Sequence, residues 1–159
     1  MPQVIASEVF ESTLTLLRET FEGAQGASTY YVDNAPGSGL LGTLEKIDAS
    51  RASAPISKSG ATIAGHVHHA GFHLDMTSAW IQGDRADRDW AQSWTVKAVD
   101  DAQWGRLRQT LRRQYEELVR AIEKEPAAIG ESLPTTLGAI AHAAYHLGAV
   151  RQALAAGTV

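Results

Sequence analysis

Histidine is the residue whose distribution most clearly points to chemistry in this sequence. All six histidines lie in two short windows, residues 66–73 and residues 142–146. A neutral imidazole is a common ligand for zinc, nickel and iron. Because the chain has no cysteine, a metal site in it must use nitrogen or oxygen ligands. The clustering therefore predicts a metal site built from two distant parts of the chain.

Helical spacing would gather these side chains on two helix faces. On a helical wheel, His66, His69 and His73 fall within an arc of about 60°, whereas His68 points about 100° away, toward solvent or a subunit contact. His142 and His146 are one turn apart, so that both imidazoles can reach a single ion at about 2.0–2.1 Å. One histidine of the first window would complete a triad. Three protein ligands leave a position open for water or substrate, which is typical of catalytic metal sites.

The competing interpretation is that these histidines are ordinary core residues. A single helical histidine is more often a hydrogen-bonded core residue than a metal ligand. Five inward-facing histidines without acidic partners on the same faces, however, would be costly to bury unless a metal or hydrogen bonds occupied their nitrogens. Because metal ligands must be deprotonated, an ordinary histidine site would lose its ion as the pH falls, and retention well below about pH 5 would argue against it.

The composition is that of a soluble globular protein. The chain has 159 residues, of which 44% are hydrophobic and 20% charged, and its formal net charge is −4. This length predicts a single domain over residues 1–159. The net negative charge argues against nucleic acid as a partner. We expect a cytoplasmic protein, because there is no cysteine, no apparent signal segment and no apolar stretch long enough to span a bilayer.

Periodicity and punctuation predict an all-α fold, a four-helix bundle with one shorter additional helix. The predicted long helices cover about residues 7–22, 61–82, 101–124 and 134–156, and the short helix covers about residues 40–52. In the first helix Glu11, Arg18 and Glu19 accompany the apolar stripe. Pro126 predicts the end of the third long helix, and the pair Asp100 and Gln103 predicts a capping box at its start. Bundle cores are where facing helices build metal sites.

A tryptophan-rich connection joins the second and third long helices. The segment 85–99 is charged and contains Trp90 and Trp94, and it predicts an ordered connection with about one helical turn. Trp80, two turns beyond His73, is a candidate wall of the histidine pocket, although core packing is the commoner role for a tryptophan.

The two histidine windows resemble the DinB-like family, which includes the YfiT-type metal-dependent hydrolases. The resemblance covers most of the chain and is carried by the stretches 65–69 and 142–148, Gly-His-Val-His-His and His-Ala-Ala-Tyr-His-Leu-Gly. It implies a four-helix bundle with one histidine on the second long helix and a His-x-x-x-His pair on the last. The glycine of that last motif is usually followed by glutamine, whereas Ala149 follows it here.

Carried over to this sequence, the family's ligand triad falls on His69, His142 and His146. His66 is the rival ligand, and His73 is either a fourth ligand or a partner of the polarised water. His66, His73 and Tyr145 are the candidates for proton transfer or substrate orientation. Tyr145 lies about 60° from His142 on the helical wheel, where its hydroxyl can donate to a substrate oxygen.

The resemblance implies a metal-dependent hydrolase or thiol transferase acting on a small molecule, with a low-molecular-weight thiol as a candidate substrate. The expected cofactor is a divalent ion, Zn²⁺, Ni²⁺ or Fe²⁺, and the expected assembly is a homodimer. The rival hypothesis is a non-catalytic helical dimer or stress-related binding protein, in which the metal is structural or absent.

Overall fold

The protein is all-helical in the part of the chain that the computed structural model describes, residues 2–125 and 129–157. Six α-helices, four of them long, and no β-strand occur in this part, so the prediction of a helical protein with four long helices is confirmed. The helices are α1 (Pro2–Glu22), α2 (Leu40–Glu45), α3 (Ala49–Ser53), α4 (Ile63–Ile81), α5 (Asp101–Lys124) and α6 (Ile129–Ala155), and a 3-10 helix covers Trp90–Trp94.

The four long helices pack around a common hydrophobic core. Helix α4 packs against both α5 and α6, and α1 packs against α6 and α5. The core side chains with the least exposure come from all four of these helices: Leu17, Phe21, Ile63, Leu74, Leu118, Ile122 and Val150. The two histidine-bearing helices, α4 and α6, are therefore direct neighbours. None of the described helices is long and apolar enough to cross a membrane.

The ends of α4 and α5 follow local sequence signals. The Thr62 side chain accepts a hydrogen bond from the Gly65 amide, which caps the start of α4. Gly83 has a φ of +91°, the left-handed conformation that favours glycine just past a helix end. At the start of α5, Asp100 and Gln103 form a reciprocal capping box, as their spacing predicts.

Two helix predictions are wrong. The expected single helix over residues 40–52 is instead α2 and α3, because Asp48 is extended and its side chain caps the Arg51 amide, starting a new helix. Helix α6 begins at Ile129, before Pro134, which lies inside it. Pro134 is the sixth residue of α6, beyond the first four amides that lack an intrahelical partner, so the helix continues through it with one backbone hydrogen bond fewer. Helix α5 ends at Lys124, and Pro126 lies outside the described residues.

Glu19 is buried, although the pattern of α1 groups it with exposed polar residues. Its side chain is only 4% exposed. The carboxylate accepts hydrogen bonds from the backbone amides of Tyr30, Tyr31 and Val32, at 2.8 to 3.2 Å. These amides belong to the connection between α1 and α2. A buried carboxylate thus supplies the acceptors that this segment needs.

We expect Glu19→Gln to destabilise the protein by about 2–3 kcal/mol, because the amide group offers one acceptor instead of two and loses the charge. Urea unfolding at neutral pH measures this loss. The matched control is Glu11→Gln, since Glu11 is exposed on the same helix. Equal unfolding midpoints for the two variants would contradict a structural role for the buried carboxylate.

Candidate metal centre

Helices α4 and α6 bring ring nitrogens of three histidines close together. Nε2 of His142 lies 3.1 Å from Nε2 of His69 on the neighbouring helix and 3.1 Å from Nε2 of His146, one turn further along α6. One ligand nitrogen from each residue lies within 4.8 Å of the other two. His146 is only 2% exposed, and the other two side chains are half-buried. The three nitrogens thus converge on one point between the helices.

Hydrogen bonding alone does not satisfy this arrangement. A neutral imidazole nitrogen carries either one N–H or one lone pair. His142 Nε2 can therefore form a hydrogen bond with His69 or with His146, but not with both in the usual geometry. The remaining 3.1 Å contact would then have no hydrogen aligned between its two nitrogens. A cation between the three nitrogens would receive a lone pair from each and remove the conflict.

The spacing suits a tetrahedral ion. Ligand nitrogens at about 2.0–2.1 Å from a tetrahedral metal are about 3.3 Å apart, close to the 3.1 Å separations found here. No fourth histidine, aspartate or glutamate of the described residues joins the group. The site can therefore hold a divalent metal ion with three protein nitrogens and an open position.

A serine on the 3-10 helix contacts His69 at Nδ1, the ring nitrogen that does not belong to the cluster. His69 Nδ1 lies 2.7 Å from Oγ of Ser93, and that hydroxyl in turn donates to the carbonyl oxygen of Trp90 at 2.6 Å. Trp94, at the end of the same 3-10 helix, stacks on the His69 ring with centroids 4.3 Å apart and planes 20° apart. His69 is thus held between a buried hydroxyl and an aromatic face.

His66 lies behind His146 rather than in the ligand group. Its Nδ1 is 2.7 Å from Nδ1 of His146, on the side of that ring opposite the Nε2 cluster. When His146 Nε2 provides a lone pair, its Nδ1 carries the proton and donates to His66. The structure therefore places His66 as a hydrogen-bond partner of His146.

His73 is packed flat against His142. The two rings stack with centroids 4.3 Å apart and planes only 26° apart. Because a ligand binds metal in the plane of its own ring, a ring stacked parallel on His142 cannot direct a nitrogen at the same ion without rotating. Its Nδ1 is buried and has no hydrogen-bond partner among the described residues. The geometry does not favour His73 as a fourth ligand.

His68, which the helical wheel points away from this face, does not simply face solvent. Its Nδ1 lies 2.8 Å from the carbonyl oxygen of Ser93, so it contacts the 3-10 helix from a second side. The helix Trp90–Trp94 is thus held by two histidines of α4, one at the Ser93 backbone and one at the Ser93 side chain.

Burial keeps the cluster neutral. Loss of hydration lowers the pKa of His69 and of His142 to about 4 and that of His146 to about 2, and neighbouring histidines add a smaller repulsion. Burial also lowers the pKa values of His66 and His73. Protons therefore compete with a metal only at lower pH than at an exposed histidine. Retention of an ion somewhat below about pH 5 is compatible with this site, contrary to the argument from ordinary histidines.

A pocket of about 500 Å³ opens next to His66, and His69, His142 and His146 are not among the described residues that line it. Its walls include His66, Trp94 and Tyr145, together with small apolar residues of α6. Tyr145 is 68% exposed, and its ring packs edge-on against His146. No charged side chain lies among the described residues that line the pocket. It offers aromatic faces and neutral hydrogen-bonding groups to a small molecule.

The aromatic wall of the site comes from the connection rather than from α4. Trp80 stands apart, 37% exposed, with the Arg85 guanidinium over its ring at 4.0 Å. Trp90 and Trp94 instead contact the histidines. The pair of tryptophans four residues apart was the available sequence signal for this wall. Ser93 carried no signal of its own, since a serine in a polar connection is ordinary.

Comparison of the chain with protein-family models, with curated proteins and with solved structures gave no match.

Proposed function

We propose that this protein is a metal-dependent enzyme with a DinB-like four-helix bundle, acting on a small molecule by hydrolysis or by thiol transfer. His69, His142 and His146 would hold the ion. The observation that carries the proposal is that Nε2 of His142 lies 3.1 Å from Nε2 of both His69 and His146, because one ring nitrogen cannot form an ordinary hydrogen bond with both. The resemblance of both histidine windows to that family supports the same assignment.

The number of donors supports a catalytic rather than a structural site. Structural zinc sites are usually closed by four protein ligands, whereas catalytic sites use three. The described residues supply three. An ion held there acts as a Lewis acid that polarises a substrate oxygen or sulfur. Zn²⁺, Ni²⁺ and Fe²⁺ all accept imidazole ligands.

The surrounding side chains would bind and orient the substrate. Tyr145 projects its phenol at the pocket wall, where the hydroxyl can donate to a developing negative charge. His66 lines the same pocket while it accepts from His146, so its second nitrogen is available to a substrate. His73 stacks on His142 and would orient that ligand. The uncharged lining favours a neutral substrate. An uncharged low-molecular-weight thiol is one such molecule.

Cobalt substitution tests both the metal site and its open position. We expect protein purified without a histidine tag to bind one Co²⁺ and to show the intense visible absorption of a tetrahedral ion. Azide, or a small thiol such as 2-mercaptoethanol, should then change that spectrum by occupying the open position. Tyr145→Phe is the matched control, since it removes a pocket hydroxyl and leaves the three ligands in place.

The rival hypothesis gives different spectra. A closed structural site would bind Co²⁺ but would not respond to azide or thiol. A non-catalytic dimer without metal would give no cobalt spectrum at all, and its histidines would serve only packing and hydrogen bonding. Either result would refute the proposed enzyme.

A further inference from the structure

We propose that Ser93 is a positioning residue that holds His69 in the tautomer able to bind a metal. The inference rests on the proposed metal site. Ser93 lies on the 3-10 helix Trp90–Trp94 and is 0% exposed. Ser93 is not one of the nitrogen donors, so its role would be to orient one of them.

The direction of each hydrogen bond follows from the available hydrogens. The Ser93 hydroxyl has one hydrogen, and Oγ lies 2.6 Å from the carbonyl oxygen of Trp90, which can only accept. The hydroxyl therefore donates to that carbonyl and accepts from His69 Nδ1, 2.7 Å away. His69 must then carry its proton on Nδ1. Its Nε2 is left with a bare lone pair on the side of Nε2 of His142.

This assignment matters because a free neutral imidazole exchanges its proton between the two nitrogens. A proton on Nε2 would point at His142 and block the lone pair that an ion needs. Hydrogen-bond partners on the far nitrogen commonly fix the tautomer of a metal-binding histidine, and their loss typically weakens metal binding about 10- to 100-fold. Such partners are often carboxylates or backbone carbonyls. Here a serine hydroxyl has that role. Because its only hydrogen is donated to the Trp90 carbonyl oxygen, the hydroxyl can only accept from His69.

The connection that carries the 3-10 helix is held at more than one point, which restricts the movement of the Ser93 hydroxyl. Asp89 caps its start by accepting from the Ala91 amide. Five residues beyond its end, the Val99 amide donates to Oγ of Ser53 on α3, and that hydroxyl donates back to the Val99 carbonyl oxygen. Trp94 covers the other side of the His69 ring. The imidazole thus has little freedom to turn away from the serine.

The experiment compares wild type with Ser93→Ala in the metal-free and metal-titrated states. Nitrogen-15 NMR of the imidazole rings at neutral pH should show His69 of the metal-free wild type with its proton on Nδ1. In Ser93→Ala we expect a mixture of tautomers and a Zn²⁺ affinity about 10- to 100-fold weaker, measured by competition with a chelator. Ser93→Thr, which keeps the hydroxyl, should restore both readouts.

Ser53→Ala is the matched control. It removes another serine hydroxyl that anchors the same connection, without touching His69. It should leave the His69 tautomer unchanged and Zn²⁺ affinity within about threefold of wild type. An unchanged tautomer and affinity in Ser93→Ala would overturn the proposal, as would equal losses in Ser53→Ala. If wild type bound no Zn²⁺ while Ser93→Ala still altered the tautomer, the proposed function would fail, but the orienting role of Ser93 would be supported.

Discussion

Replacing His142 with alanine is expected to lower the affinity for Zn²⁺ about a thousandfold. Nε2 of His142 lies 3.1 Å from Nε2 of His69 and 3.1 Å from Nε2 of His146, so it is the central atom of the group. Zinc bound to small protein sites releases about 10–16 kcal/mol, so that one of three protein ligands accounts for about 4 kcal/mol, or about a thousandfold in affinity. A chelator competition assay and the metal content of the purified variant measure the effect.

The control for that experiment is His73→Phe. Phenylalanine keeps a flat ring to stack on His142 but has no nitrogen. We expect its Zn²⁺ affinity to stay within about tenfold of wild type. A loss as large as that of His142→Ala would instead make His73 a fourth ligand and would contradict the three-nitrogen site.

The metal-free protein should lose stability steeply as the pH falls from about 7 toward 5. In the unfolded chain the histidines titrate near pH 6.5, whereas folding lowers the pKa of His69 and His142 to about 4 and that of His146 to about 2. Between these values the unfolded state binds more protons, so acid favours unfolding. Each histidine kept neutral contributes at most about 1.4 kcal/mol per pH unit, and solvent access to half-buried rings reduces that share.

Urea unfolding at several pH values measures this dependence. The double variant His142→Gln, His146→Gln is the matched test, because glutamine stays neutral throughout and should flatten the curve. Bound Zn²⁺ should raise the stability of wild type at neutral pH, since it binds only the folded state. A wild-type midpoint that did not move between pH 7 and 5 would show that the histidines are not buried as neutral groups. The window stays above the range where most carboxylates titrate.

Much of the helical architecture could be predicted because its signals are local. Apolar periodicity predicted the four long helices, and the capping box at Asp100 depends on two residues three apart. The same periodicity predicted that His69 and His73 share a face, and that His142 and His146 stack one turn apart. These are properties of a single helix, and a single sequence determines them.

Predictions of exposure and of helix ends failed in three places. One involves a contact with residues distant in sequence, and the other two involve the residue at which a helix begins. Glu19 matches a polar helix face, but the amides that it binds come from the following connection, so only the folded chain shows that it is buried. Asp48 caps the start of α3, so the helix predicted over residues 40–52 is two separate helices. Pro134 lies inside α6, five residues after its start, although proline is ordinarily expected in the first turn of a helix.

Some properties of the histidine site also followed from the sequence, and others depended on the tertiary structure. The sequence by itself determined that all six histidines lie in two short windows and that two helices carry them. Only the tertiary structure decided which nitrogens converge, that His66 lies behind His146, and that Ser93 contacts His69. The physical reason is that helical periodicity gives the direction of a side chain, whereas a hydrogen bond depends on the position of a partner to within a few tenths of an ångström.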